Sequence, residues 1–432
     1  MTSAPATIGV MSTPTAQTEQ STQSVQPIQL VGQPSFIQYD NVVEYTFMVK
    51  NPNQGYAVLM QQYKVTISDA GGNVLDTAPM NIINTLLPGD QTAVLQYGNV
   101  GDNQTAAKVD VTLSPNTGIL RKVTVTLPLF SAKEDQLIHF TDNDFYEITG
   151  TLQSNLEQNM VYRMNSEVHL TGLAFDETGN FVGGGAVDLT YVPAKSQVAF
   201  TMQVNKLVGN PAKIELYPQL VDFDILQSAD TNENLVSVVA QNIIVNNETG
   251  SYLGGFIIQN TDKQRAITNL VYQITAYDTK GVLSTLVQPV SCLLFPGETT
   301  GIAVTGGGVP GIKPDKIELQ VGSGAIYTGS LTAVPFQTAE LTFIPASSEP
   351  GSTPKITGVV KNQSGTDFNG VLQVDTLAFD AQGNILDGGS ITVTSVPANG
   401  STPFTVDLSP GFQGSEAKVE AFINIDASNL QP

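Results

Sequence analysis

The chain has 432 residues, 41% of them apolar and only 13% charged, against roughly 25% charged in an average soluble protein. Its 39 acidic and 18 basic residues leave a net charge of −21, which repels phosphate backbones and excludes nucleic acid as a partner. A lone cysteine excludes an intramolecular disulfide framework, and no run of 18 apolar residues encodes a transmembrane helix.

Residues 1–25 are rich in Ser, Thr, Gln and Pro. Such a segment buries too little apolar surface to fold, so it reads as a disordered tether. It lacks a basic, apolar signal peptide. We expect Met1 to be an artificial start and the natural precursor to carry a signal peptide, of the lipoprotein kind, ending in a lipidated Cys just before Thr2.

The first module is expected over residues 26–131. Tyr45 to Lys50 reads as a strand, broken by the turn residues Asn51-Pro52-Asn53-Gln54-Gly55. Tyr63 to Ile67 alternates apolar and polar as a half-buried strand does. Lys122 to Leu127 alternates too and is expected as an extra strand, paired with the strand at Lys108. Further modules are expected over 132–232, 233–336 and 337–432. Their central strands face inward with Val168, Leu170 and Ala174, then Leu270, Ile274 and Ala276, then Leu372, Val374 and Ala378. By the same alternation Phe175, Tyr277 and Phe379 fall on the other face and cover the turn. Residues 345–353 read as a loop.

The modules are copies of one another. The phrase Leu377-Ala378-Phe379-Asp380 recurs as Leu173-Ala174-Phe175-Asp176 and, more loosely, as Thr275-Ala276-Tyr277-Asp278 and Thr66-Ile67-Ser68-Asp69. The turn aspartates Asp69, Asp176, Asp278 and Asp380 stand 107, 102 and 102 residues apart. A proline turn follows each, at Pro88, Pro193, Pro296 and Pro397. A charged phrase then opens the last strand: Lys108-Val109-Asp110, Lys213-Ile214-Glu215, Lys316-Ile317-Glu318 and Lys418-Val419-Glu420. An asparagine precedes each block, at Asn51, Asn155, Asn260 and Asn362. This period exceeds that of solenoid repeats and fits a whole β-sandwich of about 100 residues.

The repeated phrase resembles the bacterial Ig-like modules named for a Phe-x-Leu-Tyr-Asp motif. The match is partial, with Leu-Ala-Phe-Asp or Thr-Ala-Tyr-Asp at that point and no aromatic in the first copy. The resemblance covers nearly all of residues 26–432. It implies an all-β fold of four tandem Ig-like or fibronectin-III-like β-sandwich domains on an exported protein, and it brings no catalytic residues.

No residue set announces a chemistry. His139 and His169 are the only histidines, and no nucleophile-elbow sequence accompanies them. They read as surface residues. Acidic groups cluster at Asp142-Asn143-Asp144 and at Asp222, Asp224, Asp230, Asn232 and Glu233. Calcium takes such oxygens, but Leu235 and Gln241 stand where an EF-hand loop needs Gly and Glu. These groups read as solvated linker carboxylates. Cys292 reads as a core residue. The turn aspartates hydrogen-bond the backbone ahead, with Gly or Asn at the positive-φ site. The Lys-x-acid phrases guard an edge strand. Gly183-Gly184-Gly185 and Gly306-Gly307-Gly308 lack the ending of a phosphate loop. The sequons at Asn103, Asn247, Asn362 and Asn399 read as incidental.

We therefore expect no catalytic, metal or cofactor site. The expected role is a non-enzymatic structural protein of the cell surface or extracellular envelope: a spacer, an adhesin, or a component of a surface layer or fibre. Its partners would be other surface proteins or itself. The rival reading is a surface protein that binds a glycan or a partner chain through loops or strand edges. The first copy, with its extra strand and missing aromatic, is expected to be the specialised one.

Overall fold

The computed structural model describes residues 26–115, 118–141, 144–161, 167–227, 234–246, 249–308, 311, 313–322, 324–329, 334–349, 351–409 and 418–430. The tether expected over 1–25 lies outside them. The described chain is all-β, in tandem sandwiches.

The first sandwich holds β1 (Gln29–Tyr39), β2 (Val42–Lys50), β3 (Tyr56–Ser68), β4 (Val74–Leu86), β5 (Gln91–Asn99), β6 (Lys108–Leu113) and β7 (Ile119–Lys122). The second holds β8 (Phe130–Phe140), β9 (Phe145–Ser154), β10 (Met160–Val161), β11 (Val168–Phe175), β12 (Phe181–Leu189), β13 (Tyr191–Val192), β14 (Gln197–Val204) and β15 (Lys213–Leu220). The third holds β16 (Val236–Val245), β17 (Tyr252–Asn260), β18 (Ile267–Asp278), β19 (Gly281–Leu294), β20 (Thr299–Gly306), β21 (Lys316–Gly322) and β22 (Ala325–Ile326). The fourth holds β23 (Phe336–Ile344), β24 (Lys355–Asn362), β25 (Phe368–Phe379), β26 (Ile385–Val396), β27 (Ser401–Asp407) and β28 (Lys418–Ile425).

One pairing scheme recurs, all antiparallel. A back sheet takes the order β1-β2-β5, and a front sheet the order β4-β3-β6. The third sandwich repeats this as β16-β17-β20 and β19-β18-β21, and the fourth as β23-β24-β27 and β26-β25-β28. In the second, a single pairing of Gly185 with Val204 joins the two sheets into one path, β15-β11-β12-β14-β9-β8.

The expected inward faces are found. Val168, Leu170 and Ala174 lie in the core of the second sandwich, and Leu270, Ile274 and Ala276 in that of the third. Leu372 and Val374 are buried in that of the fourth, and Ala378 is fully buried beside Ile356 and Leu408. Cys292 is 1% exposed, and burial pushes its thiol up to about 12.

Two expectations are corrected. The extra strand is β7, at Ile119–Lys122, and it pairs with β3 rather than with the Lys108 strand. Val123, Val125 and Leu127 keep their alternation but pack on the core of the second sandwich, where they make the connection part of that sandwich's cover. Nor is the feature confined to the first copy, because β22 pairs with β18 in the same way. The second correction is the asparagine landmark. Asn51, Asn260 and Asn362 are each at most 2% exposed. Asn260 Nδ2 donates to the carbonyls of Arg265, Leu294 and Phe295, and its Oδ1 accepts from Asp262 N. Asn51 does the same with Tyr56, Leu86, Leu87 and Asn53. In the second sandwich the equivalent is Ser154, fully buried, whose Oγ accepts from Leu156 N. Asn155 lies one residue on, and its amide donates to Pro128 O at the surface.

Candidate functional site at the module junctions

The repeated turn aspartates are structural. Asp176 Oδ1 accepts from the backbone N–H of Thr178 and Asn180, and Oδ2 from Asn180 Nδ2. Asp69 and Asp380 accept in the same way from Asn73 and Asn384. Gly72, Gly179 and Gly383 take the positive φ that closes these turns (+80°, +85° and +84°). Asp278 makes a tighter version, accepting from Lys280 N and Gly281 N. These hydrogen bonds hold the Asp69, Asp176 and Asp380 carboxyls below the usual range, the Asn side chain contributing most. The Lys-x-acid phrases form ion pairs along β6, β15, β21 and β28, each an edge strand of its front sheet.

The two histidines lie apart. His139 stacks on Tyr146 at 4.2 Å and meets Asp144 at 3.2 Å, while His169 meets Asp188 at 2.6 Å. Of the acidic groups, Asp144 is taken by Lys206 and His139, and Asp222 accepts from Asp224 N. Asp142, Asn143, Asp230, Asn232 and Glu233 lie outside the described residues, as does the sequon at Asn247. Among the described residues no three His, Cys, Asp or Glu side chains are grouped to hold a metal. The Asn362 sequon is closed to modification, since its amide is buried and donates to Thr366 O and Val396 O.

The distinctive geometry lies between sandwiches. The back sheet of each one packs its outer face against the front sheet of the next. At the first junction Ile37, Ala93 and Leu95 meet Leu173 and Phe181, flanked by Phe175 and Tyr217. At the third, Ala303, Ala240 and Ile257 meet Leu377, Phe379, Ile385 and Phe422. Only glycine fits there: a Cβ on Gly255 would stand 2.5 Å from Leu377 Cδ2, and one on Gly301 would enter the Phe422 ring. The second junction is held by hydrogen bonds. Thr149 Oγ1 donates to Val282 O (2.6 Å), Gln273 Nε2 to Ala199 O (2.6 Å) and Gln136 Nε2 to Asp278 Oδ1 (3.0 Å).

Phe175 and Phe379 therefore cover a neighbouring sandwich rather than their own turns. This also explains the copy that lacks the aromatic. Counted back from the turn aspartate, the front-sheet positions five and three residues earlier are Thr171 and Leu173, Gln273 and Thr275, and Asp375 and Leu377. All six are at most 4% exposed. In the first sandwich they are Lys64, exposed, and Thr66, half-buried, because no sandwich precedes it in the described chain. The other end behaves likewise. The back-sheet position seven residues before the buried Asn or Ser is Glu44, Glu147, Leu253 and, in the fourth sandwich, Lys355. Lys355 there pairs with Asp407, and Lys361 with Glu340, across an open face. The faces that meet another sandwich in the described chain are buried, and the two that do not are polar.

Each junction also holds a carboxylate, fully buried at the first and third and half-buried at the second. Glu44 is fully buried at the first, where the Gly184 N–H of the next sandwich and the Tyr39 hydroxyl (3.4 Å) reach its carboxyl. Burial outweighs these two donors and pushes it up to about 7. Glu147 lies at the second junction, near enough to Tyr252 of the third sandwich to disfavour that phenol's ionisation. Burial pushes the Glu147 carboxyl up to about 7. Asp375 is fully buried at the third, accepting from Ala303 N (3.2 Å) across the junction and from Asn424 Nδ2 (2.7 Å). Burial pushes it up to about 6 against these bonds. Glu44 Oε1 and Glu147 Oε2 have no hydrogen-bond partner among the described residues.

Four sandwiches stacked through their sheet faces define a repeat protein of β-sandwich modules. No family model matches the chain and no curated protein does. Among solved structures, a biofilm-associated protein BSP domain is similar at 11% identity and a TM-score of 0.14, over 94% of this chain and 97% of that one. Salmonella alpha-2-macroglobulin reacted with methylamine is similar at 11% identity and a TM-score of 0.14, over 91% of this chain and 30% of that one. The native conformation of E. coli alpha-2-macroglobulin is similar at 8% identity and a TM-score of 0.11, over 94% and 29%. At such TM-scores the likenesses carry no argument about function, which rests on this chain's own residues.

Proposed function

We propose that the chain is a non-enzymatic structural element of a bacterial surface or extracellular envelope, a stiff spacer made of stacked sandwiches. The observation that carries this reading is the set of buried junctions. Loosely linked modules swing independently, whereas here three sheet-to-sheet contacts bury side chains as a core does. The low charge content, made up by Ser, Thr, Asn and Gln, supports an exported location. The module limits at 131/132, 232/233 and 336/337 belong to the same proposal.

Negative-stain imaging of the purified chain tests it. Eight face-packed sheets at about 10 Å each give a stack on the order of 80 Å. Uniform particles of that length with one outline support a stiff spacer. Strings of four beads at variable angles would refute it, and regular filaments would make self-assembly the function.

The rival reading, binding of a glycan or partner chain, has one observation in its favour. A cleft of about 590 Å³ opens at the third junction, lined by Phe295, Glu298, Phe336 and Phe422 among others. Saturable glycan or peptide binding that a Phe422 substitution removes would favour it over the spacer.

A further inference from the structure

The three junction carboxylates share a property that a passive spacer does not need. Each projects from the outer face of a sheet into the contact with the neighbouring sandwich, and none has a cationic partner among the described residues. Glu44 and Glu147 hold the same position in successive copies, seven residues before the buried Ser or Asn. The third case comes from the opposite sheet, because that back-sheet position is Leu253 in the third sandwich and Asp375 faces it from the fourth.

The surroundings offer no compensating charge. Glu44 is faced by the phenols of Tyr39 and Tyr97 and lies near Asp40. The cations around that junction are engaged elsewhere, Lys206 by Asp144 and Lys213 by Glu215. Around Glu147 stand Tyr252 and, on the adjoining elements, Asp135 and Asp278. Lys133 is spent on Asp135. Around Asp375 stand Tyr272, whose phenol it disfavours from ionising, with Glu298 and Asp426 acting on the same Cys292 thiol as Asp375 does. Among the described residues no cation pairs with any of the three carboxyls, and Lys280, on the turn of Asp278, is exposed.

We propose that the stack is a pH-sensitive assembly, its sandwiches held together while Glu44, Glu147 and Asp375 are protonated and loosened as these carboxyls ionise. The folded carboxyls lie at about 7, 7 and 6, above the ordinary range near 4 of an unfolded chain. A raised acid binds more protons folded than unfolded. Its stabilising contribution is therefore complete below about pH 4 and is lost progressively as pH rises from there to the folded values of about 6 to 7. Within that window each carboxyl changes the folded-to-unfolded ratio by up to about tenfold per pH unit.

The test compares the full chain with its Glu44→Gln/Glu147→Gln pair variant at pH 5 and pH 8. The carboxamides mimic the protonated acids. Denaturant unfolding and small-angle scattering are the measurements. The wild type is expected to be less stable and more extended at pH 8, and the pair variant to lose up to about 100-fold of that stability difference for each glutamate replaced. General repulsion at net charge −21 also grows with pH, but the variant retains most of it, so the difference between the chains reports the junctions. A wild type indifferent to pH over this range, or a variant with the wild-type slope, overturns the proposal. If the variant does not fold, carbon NMR titration of the wild-type glutamates decides. Midpoints near 7 for Glu44 and Glu147 support the proposal, and midpoints near 4 overturn it.

Discussion

Positions that are equivalent in the repeat differ in their surroundings where sandwiches stack. Leu377 and Thr66 both stand three residues before the turn aspartate on the central strand of a front sheet. Leu377 is fully buried against Gly255 and its neighbours in the third sandwich, whereas Thr66 is only half-buried on an end face. Leu377→Ala removes a side chain that packs across the junction and leaves a cavity, because sheet backbones on both sides prevent collapse. The cost is about 2–5 kcal/mol. Thr66→Ala is expected within about 0.5 kcal/mol of wild type. In a stacked array this loss falls on one nearest-neighbour contact, so the fourth sandwich separates from the rest before global unfolding. Differential scanning calorimetry with limited proteolysis reads both effects: a lower-temperature shoulder in Leu377→Ala, and cleavage that releases the fourth sandwich. Equal, small effects for the two substitutions would refute the claim that the junctions hold the stack.

Three other outcomes are expected. Asn260→Ala strands three carbonyls and should cost about 2–3 kcal/mol, while Asn155→Ala in the second copy should stay within about 0.5 kcal/mol. Chemical denaturation of both variants checks this, and the reverse order would mean that Ser154 is not the equivalent residue. Gly301→Ala drives a methyl group into the Phe422 ring and should destabilise by about 1–3 kcal/mol; an unchanged melting temperature would contradict the close approach of these sheets. The Cys292 thiol should be silent to a thiol reagent in the native chain and react fully in denaturant, since it is buried and its thiolate strongly disfavoured. Rapid native labelling would place it outside the core.

The sandwich fold was legible because its determinants are local and repeated. The turn aspartate with its following Asn, the proline turn and the alternating central strand each have a short-range physical cause, and the four copies keep them nearly in register. The asparagine landmark shows where that logic breaks. Spacing alone picked Asn155, because it counts identity rather than environment. A serine one residue earlier supplies the acceptor that the backbone needs there, and no single-strand pattern distinguishes the two. The strand expected at Lys122 to Leu127 failed for a related reason. Period-2 alternation reports a one-sided burial, and a connecting segment lying on a neighbouring core produces it without any pairing.

The junctions were hidden for a different reason. They become visible only when the copies are compared at equal positions, not when each is read against an average sandwich. A solvated sheet face tolerates Lys64 at a place where the later copies hold Thr171, Gln273 and Asp375. Those three look like ordinary outward polar residues until both faces of the strand prove to be buried. The aromatic of the repeated phrase looked like a cover for its own turn because a turn lies beside it in sequence. For Phe175 and Phe379 the partners are some hundred residues away in another module, and this long-range burial accounts for an aromatic there and for its absence from the first copy. The same comparison separates the junctions by chemistry. The first and third hold apolar clusters as well as hydrogen bonds, such as Gln219 Nε2 to Thr85 O and Asn424 Nδ2 to Gly301 O, and the middle one is crossed by hydrogen bonds from Thr149, Gln273 and Gln136. Apolar contact tolerates small sliding, while directional bonds to fixed carbonyls do not. Directional bonds therefore fix the angle at all three junctions, and the apolar clusters of the first and third add adhesion.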